Sequence, residues 1–302
     1  MPLLKSSFLD LQGLSIEKIH QLFSLARKIK TSGLPPKFRG ETLGLLFFEA
    51  STRTRMSFET AAYRVGLGPI LLDGGLKTSL EKGESIEDSI YNVAAMRPRF
   101  LVIRCGDDVD LKEVAQNISV PIINAGWGKQ GHPTQALLDA FTMVENLGDL
   151  RGRKILFLGD IRHSRVAASH FELLKILGAE IALCGPEEFM PLKHEHKYFG
   201  QLSEALSWAD VAMALRCQFE RHVTGVHFSK ETYRAQFGLN SENLKKFSSK
   251  GLIMHPGPIN HGIEMETEVL NDPRCRVLDQ VTHGVYLREA LLRSMMGQEY
   301  TE

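Results

Sequence analysis

Apolar residues recur along this chain with two alternating periods. From Ser15 the pattern is that of an amphipathic helix: Ile19, Leu22, Phe23, Ala26 and Ile29 return at three- and four-residue steps and stop near Gly33 and Pro35-Pro36. Short apolar runs then alternate with helical stretches. The runs at 42–48, 69–72, 100–103 and 120–124 predict strands, and helices are expected after Ser51, after Ser85 and near Leu111. Pro133 opens a stronger helix carrying Ala136, Leu137, Ala140, Phe141 and Val144 on one side. Such alternation predicts βαβ units and a parallel sheet.

Turn residues from Asn146 to Gly152 interrupt this rhythm, which then restarts. Strand-like runs at 154–158, 180–184, 210–214 and 251–254 are separated by helical stretches, and a last helix is expected around 285–296. The chain is therefore read as α/β, with two doubly wound parallel-sheet domains of similar size. The boundary falls near 147–151, giving one domain over 1–148 and another over 149–284. At 302 residues each half is large enough to bury its own core.

Composition removes several classes of partner. The 36 basic and 36 acidic residues cancel, which argues against nucleic acid or an anionic membrane. Cys105, Cys184, Cys217 and Cys275 are scattered, as free thiols in a reducing compartment are, and have no paired metal spacing. No charged-then-apolar leader is read at the start. No apolar run approaches the ~20 residues that span a bilayer. A soluble, cytoplasmic chain without metal or cofactor is expected. His194-Glu195-His196 would need a third ligand to hold a metal, and it lies in a charged stretch, 187–197, that reads as an exposed loop.

The chemistry gathers where strands end. In open α/β sheets ligands bind outside the carboxyl ends of the strands. The first run is followed by Ser51-Thr52-Arg53-Thr54-Arg55, the third by Arg104, and the fourth by a glycine-rich loop (Gly126, Gly128, Gly131) ending in His132-Pro133-Thr134-Gln135. In the second half, Gly159-Asp160-Ile161-Arg162-His163-Ser164-Arg165, Arg216 with Gln218, and His255-Pro256-Gly257-Pro258 follow successive strands. Four strand ends deliver arginine and three deliver histidine, an anion-seeking edge on a chain of zero net charge. The turn after 42–48 is the sharpest case. A helix N-terminus presents free N–H groups and a positive dipole end, Ser51, Thr52 and Thr54 add hydroxyls, and Arg53 adds a planar fork suited to phosphate. Taken singly, Ser51 and His132 can be helix caps, Arg104 an ion-pair partner, and Arg165 and Arg216 solvated cations.

These motifs, in this order, with Ser79–Lys82-Gly83-Glu84 between the first two, resemble those of the aspartate/ornithine carbamoyltransferase family over almost the whole chain. Within it the likeness is to the aspartate branch. The resemblance implies two α/β domains with the active site in the cleft between them, and a C-terminal helix, about 285–302, that packs back on the first domain. It also implies homotrimers that share sites between neighbours, and a reaction of carbamoyl phosphate with L-aspartate that gives N-carbamoyl-L-aspartate and phosphate. That reaction is the committed step of pyrimidine synthesis. By resemblance, Ser51, Thr52, Arg53, Thr54 and Arg104 hold the phosphate, and Thr54, Arg104 and His132 polarise the carbonyl. Gln135 and the backbone carbonyls of Gly257 and Pro258 hold the carbamoyl NH₂. Lys82, Arg165, Arg216 and Gln218 hold aspartate, with Ser79 and Lys82 reaching into a neighbouring subunit's site. The resemblance leaves open whether regulatory chains or a dihydroorotase join the trimers.

The chain departs from the family in small ways. Ser79 and Lys82 are three residues apart where some members have four, and Gly257 stands where some have Leu. The stretch 221–246 corresponds to a substrate-closing loop too variable in type to read. The alternative is an ornithine or other amino-acid carbamoyltransferase. An ornithine enzyme should carry Asp-x-x-x-Ser-Met-Gly and His-Cys-Leu-Pro motifs, and neither is present. A nicotinamide-dependent dehydrogenase would show G-x-G-x-x-G after Phe157-Leu158-Gly159-Asp160, and none follows. A non-catalytic relative should have lost its site arginines, and Arg53, Arg104, Arg165 and Arg216 remain.

Overall fold

A computed structural model of the chain describes residues 7–74, 79–219 and 229–297. It divides into two compact units, Met1–Phe141 with Val281–Glu302, and Thr142–Gln280.

The first unit begins with α1 (Ile16–Ser32), capped by the Ser15 hydroxyl, which accepts from the Lys18 amide. Strand β1 (Thr42–Phe47) leads into α2 (Thr52–Val65), β2 (Gly68–Asp73) and a single 3₁₀ turn, Ser79–Lys82. Helix α3 (Ile86–Ala95), β3 (Phe100–Cys105), α4 (Leu111–Asn117), β4 (Ile122–Trp127) and α5 (Pro133–Leu147) follow, the last running on into the second unit. The four strands are parallel in the order β2-β1-β3-β4. β1, β3 and β4 are almost wholly buried, as parallel strands covered on both faces must be, whereas β2 is the half-exposed edge.

In the second unit β5 (Lys154–Leu158), α6 (Arg165–Ile176), β6 (Glu180–Cys184), β7 (Lys197–Phe199), α7 (Leu202–Trp208), β8 (Val211–Ala214), α8 (Lys230–Phe237) and β9 (Leu252–Met254) build a parallel sheet of order β7-β6-β5-β8-β9. α9 (Val277–Met295) closes the series.

Strand order reverses between β1 and β3 in one sheet, and between β5 and β8 in the other. Those are the topological switch points, where an open sheet leaves a crevice at its carboxyl edge.

Each predicted strand is found, and the α/β class with two parallel sheets is observed. The stretch 187–197 is not the simple exposed loop expected. It opens with a 3₁₀ turn, Glu187–Phe189, whose Phe189 is fully buried and stacked 5.8 Å from Tyr233. Its last residue starts β7, an edge strand too short to leave a periodic signal. α9 begins at Val277, eight residues before the expected 285. Gly284 obscured that start. It sits inside the helix, where a β-carbon would come 3.2 Å from Leu138 and 2.8 Å from Arg288, so a larger residue would require those side chains to shift. No helix among the described residues is long and apolar enough to cross a membrane.

Candidate active site

At the first switch point, β1 delivers its chain into the N-terminus of α2. Ser51 occupies the cap position, but its hydroxyl makes no capping hydrogen bond, so capping does not account for it. The first turn of α2 carries no acidic residue to neutralise its positive end. Thr52 and Arg53 are exposed there, and partial burial pushes the Arg53 guanidinium below its ordinary value. Thr54 turns inward, its hydroxyl 3.5 Å from His132 Nε2. Arg55 faces away in a 2.7 Å ion pair with Asp73.

β3 places Arg104 beside this turn through its register with Phe47 of β1. The Arg104 side chain is mostly buried. Its Nε lies 3.6 Å from Glu49 Oε2 and one terminal nitrogen 3.5 Å from the Ala125 carbonyl.

β4 contributes His132 by way of a tight loop. The Gly128 amide donates to the Cys105 carbonyl at 2.9 Å, and Gly128 holds φ 41°. A β-carbon there would meet Asp107 Oδ1 at 2.0 Å, so only glycine fits. His132 is 3% exposed and Gln135, on the first turn of α5, 9%. Ser51, Thr52, Arg53, Thr54, Arg104, His132 and Gln135 are thus borne by three strand ends of one sheet.

A buried polar chain behind them escapes sequence reading. The Gln135 side-chain amide donates to both carboxylate oxygens of Asp139, at 3.0 and 3.1 Å. Asp139 acts electrostatically on Arg288 of α9, whose guanidinium donates to Ser57 Oγ at 2.6 Å and lies 5.0 Å over the Phe58 ring. The Ser57 hydroxyl in turn donates to the Thr54 carbonyl at 3.0 Å.

Lys82 ends the 3₁₀ turn and is exposed, and among the described residues no hydrogen bond or ion pair joins it to the other candidates. The side chain of Ser79 and residues 220–228, which include the start of the stretch 221–246, lie outside the described residues.

At the second switch point, Asp160 organises the edge. Fully buried just beyond β5, it accepts from the His163 amide at 3.3 Å, faces His163 Nδ1 at 2.9 Å, and accepts from the Gln218 amide at 3.2 Å. The Gln218 side chain donates to the His163 carbonyl at 2.8 Å. One carboxylate therefore ties the β5 loop to the β8 loop. Ser164 caps α6 by accepting from the Ala167 amide, which sets Arg165 on its first turn, and Arg216 follows β8. Both arginines are half-buried. After β9, Gly257 holds φ 71°, a left-handed conformation that suits glycine, and Pro258 is exposed. Asp160 followed a strand and a glycine in the sequence, which was the available signal for it.

One edge thus offers free amides, hydroxyls and two guanidinium groups to a small anion, and the other offers two further guanidinium groups. The model of the aspartate/ornithine carbamoyltransferase carbamoyl-P binding domain matches residues 6–145, and that of the Asp/Orn binding domain matches residues 151–295. The aspartate carbamoyltransferase catalytic subunit of Desulfitobacterium hafniense is 41% identical over 303 residues, covering 97% of this chain and 96% of the relative. That of Prosthecochloris aestuarii is 40% identical over 306 residues, covering 96% and 98%. Among solved structures, aspartate transcarbamoylase from Trypanosoma cruzi in complex with N-(phosphonacetyl)-L-aspartic acid has a TM-score of 0.84 at 30% identity, covering 97% of this chain and 96% of that one. Ornithine carbamoyltransferase from Thermus thermophilus, at 24% identity and TM-score 0.84, shares the fold.

Proposed function

This chain belongs to the aspartate/ornithine carbamoyltransferase family, and we propose that it catalyses the reaction of the aspartate branch, carbamoyl phosphate plus L-aspartate giving N-carbamoyl-L-aspartate and phosphate, the committed step of pyrimidine synthesis. The observation that carries this reading is the placement of cations at both switch points, Arg53 and Arg104 at one, Arg165 and Arg216 at the other. A phosphate dianion and an acceptor with two carboxylates are the ligands such edges suit.

On this reading residues 1–148 with the C-terminal helix bind carbamoyl phosphate, and 149–284 bind aspartate. Ser51, Thr52, Arg53, Thr54 and Arg104 take the phosphate. The carbonyl oxygen is met by Thr54, Arg104 and His132, which stabilise the charge that builds there. Gln135 and the carbonyls of Gly257 and Pro258 take the carbamoyl NH₂, and Arg165, Arg216 and Gln218 take the aspartate carboxylates. The aspartate nitrogen bonds to the carbonyl carbon, the bond from that carbon to the phosphate oxygen breaks, and the electron pair leaves with phosphate. The aspartate nitrogen is the nucleophile, so no side chain need attack, and the phosphate also accepts the amine proton, which leaves positioning and electrostatics to carry catalysis. The enzyme works in the cytoplasm as a homotrimer in which Ser79 and Lys82 complete a neighbour's site.

The test is acceptor choice. Given carbamoyl phosphate, the purified chain should carbamoylate L-aspartate and ignore L-ornithine, since a cationic acceptor would leave carboxylate-binding arginines unpaired, a mismatch worth ~10⁴ in specificity. Citrulline formed at a comparable rate would overturn the assignment.

A further inference from the structure

Behind the loop that follows β9 lies a buried polar cluster that the proposed chemistry does not use. The His255 side chain is fully buried, and its backbone amide donates to Gln280 Oε1 on α9 at 2.9 Å. Its Nδ1 accepts from the Gly257 amide at 2.7 Å. A backbone N–H can only donate, so Nδ1 is bare and the ring hydrogen sits on Nε2. That Nε2 lies 3.4 Å from Oε1 of Glu264, whose side chain is equally buried; the nitrogen makes no hydrogen bond among the described residues, so its link to the carboxylate is electrostatic. The same Oε1 accepts from the Asn260 amide at 2.6 Å, and the Asn260 side chain donates to the Cys217 carbonyl at 3.2 Å. Cys217 is the residue between Arg216 and Gln218.

One carboxylate oxygen therefore addresses both ends of the segment 255–260, with Gly257 and Pro258 between. The arrangement is costly. Glu264 Oε2 is buried with no hydrogen-bond partner among the described residues, and a half-satisfied carboxylate in an apolar interior is worse for stability than a well-packed hydrophobic residue. Departures of this kind concentrate where function demands them.

We propose that Glu264 is a positioning residue: through His255 and Asn260 it fixes the Gly257 and Pro258 carbonyls in the orientation that receives the carbamoyl NH₂. The inference rests on the role given to those carbonyls above. Gly257 has no side chain to hold its φ of 71°, so the bond from its amide to His255 and the anchor at Asn260 set where its carbonyl points. The Asn260–Cys217 bond carries the same anchor to the acceptor-binding segment.

Acetyl phosphate separates positioning from general loosening, because it carries a methyl where carbamoyl phosphate carries NH₂. Titration calorimetry on the full chain should show wild type binding carbamoyl phosphate more tightly. Glu264→Met, which removes both acceptors at similar volume, should lose roughly tenfold in carbamoyl phosphate affinity, the effect of one ordinary hydrogen bond, and little for acetyl phosphate. Glu264→Gln, which keeps an acceptor for Asn260, should restore most of the preference. Should Glu264→Met not fold, His255→Leu against His255→Asn makes the same comparison, since the Asn oxygen can accept from Gly257. Equal losses for both phosphates, or an unchanged preference, would overturn the positioning role. A wild type that does not distinguish the two phosphates would instead overturn the role of the carbonyls, and this inference with it.

Discussion

Two residues of the phosphate edge differ in what they can feel during the reaction. Arg53 stands on the first turn of α2, partly exposed, where in the proposed reaction the phosphate charge is present before and during the chemical step. His132 is buried with its Nε2 at the Thr54 hydroxyl, placed for an oxygen whose charge develops later. His132→Ala should therefore lower kcat by roughly 10²–10³ while changing carbamoyl phosphate affinity less. Arg53→Ala should weaken that affinity and slow turnover together, since its contact exists in ground and transition states alike. Measuring kcat and the carbamoyl phosphate Kd for both variants checks the division. Intact turnover with loosened binding in His132→Ala would make the histidine an anchor. The sequence showed these two because each stands at a helix start beyond a strand's carboxyl end. It did not show Asp160, Asp139 or Glu264 in their roles, since a buried carboxylate and a solvated one are the same letter and only the fold brings their partners near.

At the scale of elements, α2, α5 and α9 are joined through one guanidinium. Arg288 of α9 is 3% exposed, and burial pushes it down to about 9, still charged at neutral pH. It bonds Ser57 of α2 and is balanced by Asp139 of α5, which in turn holds Gln135. Removing one member of a buried charge pair strands the other, a loss of about 3–5 kcal/mol. Arg288→Met should destabilise the chain by that order in urea unfolding. Asp139→Asn in the same background should recover part of the loss, because no uncompensated carboxylate remains. Purely additive losses would show that the two do not work as a pair. None of this was legible from periodicity. The strands were, because parallel strands buried on both faces form continuous apolar runs, as β1, β3 and β4 do. β7 was not, being three residues at an edge with two of them exposed, and Gly284 hid the first turns of α9.

For the molecule as a whole, charge balance and local field act separately. Equal numbers of acidic and basic residues give no long-range pull on anions, while Arg53 and Arg104 stand at the carboxyl edge of one sheet and Arg165 and Arg216 at that of the other. Lys82 is exposed at the end of its 3₁₀ turn and bonded to none of the other candidates among the described residues. In the proposed homotrimer this lysine serves a neighbouring copy's site, as a site shared between copies requires. Lys82→Ala and Arg53→Ala should each be nearly inactive alone. Dissociated, mixed in equal amounts and reassembled, they should regain activity, because a chain with Arg53 intact meets a neighbour with Lys82 intact in about a quarter of the sites of a cyclic trimer. Sedimentation of the mixture, with one variant mass-tagged, establishes that the chains have mixed. Mixed trimers that stay inactive would place Lys82 within its own chain's chemistry, or outside the chemistry altogether.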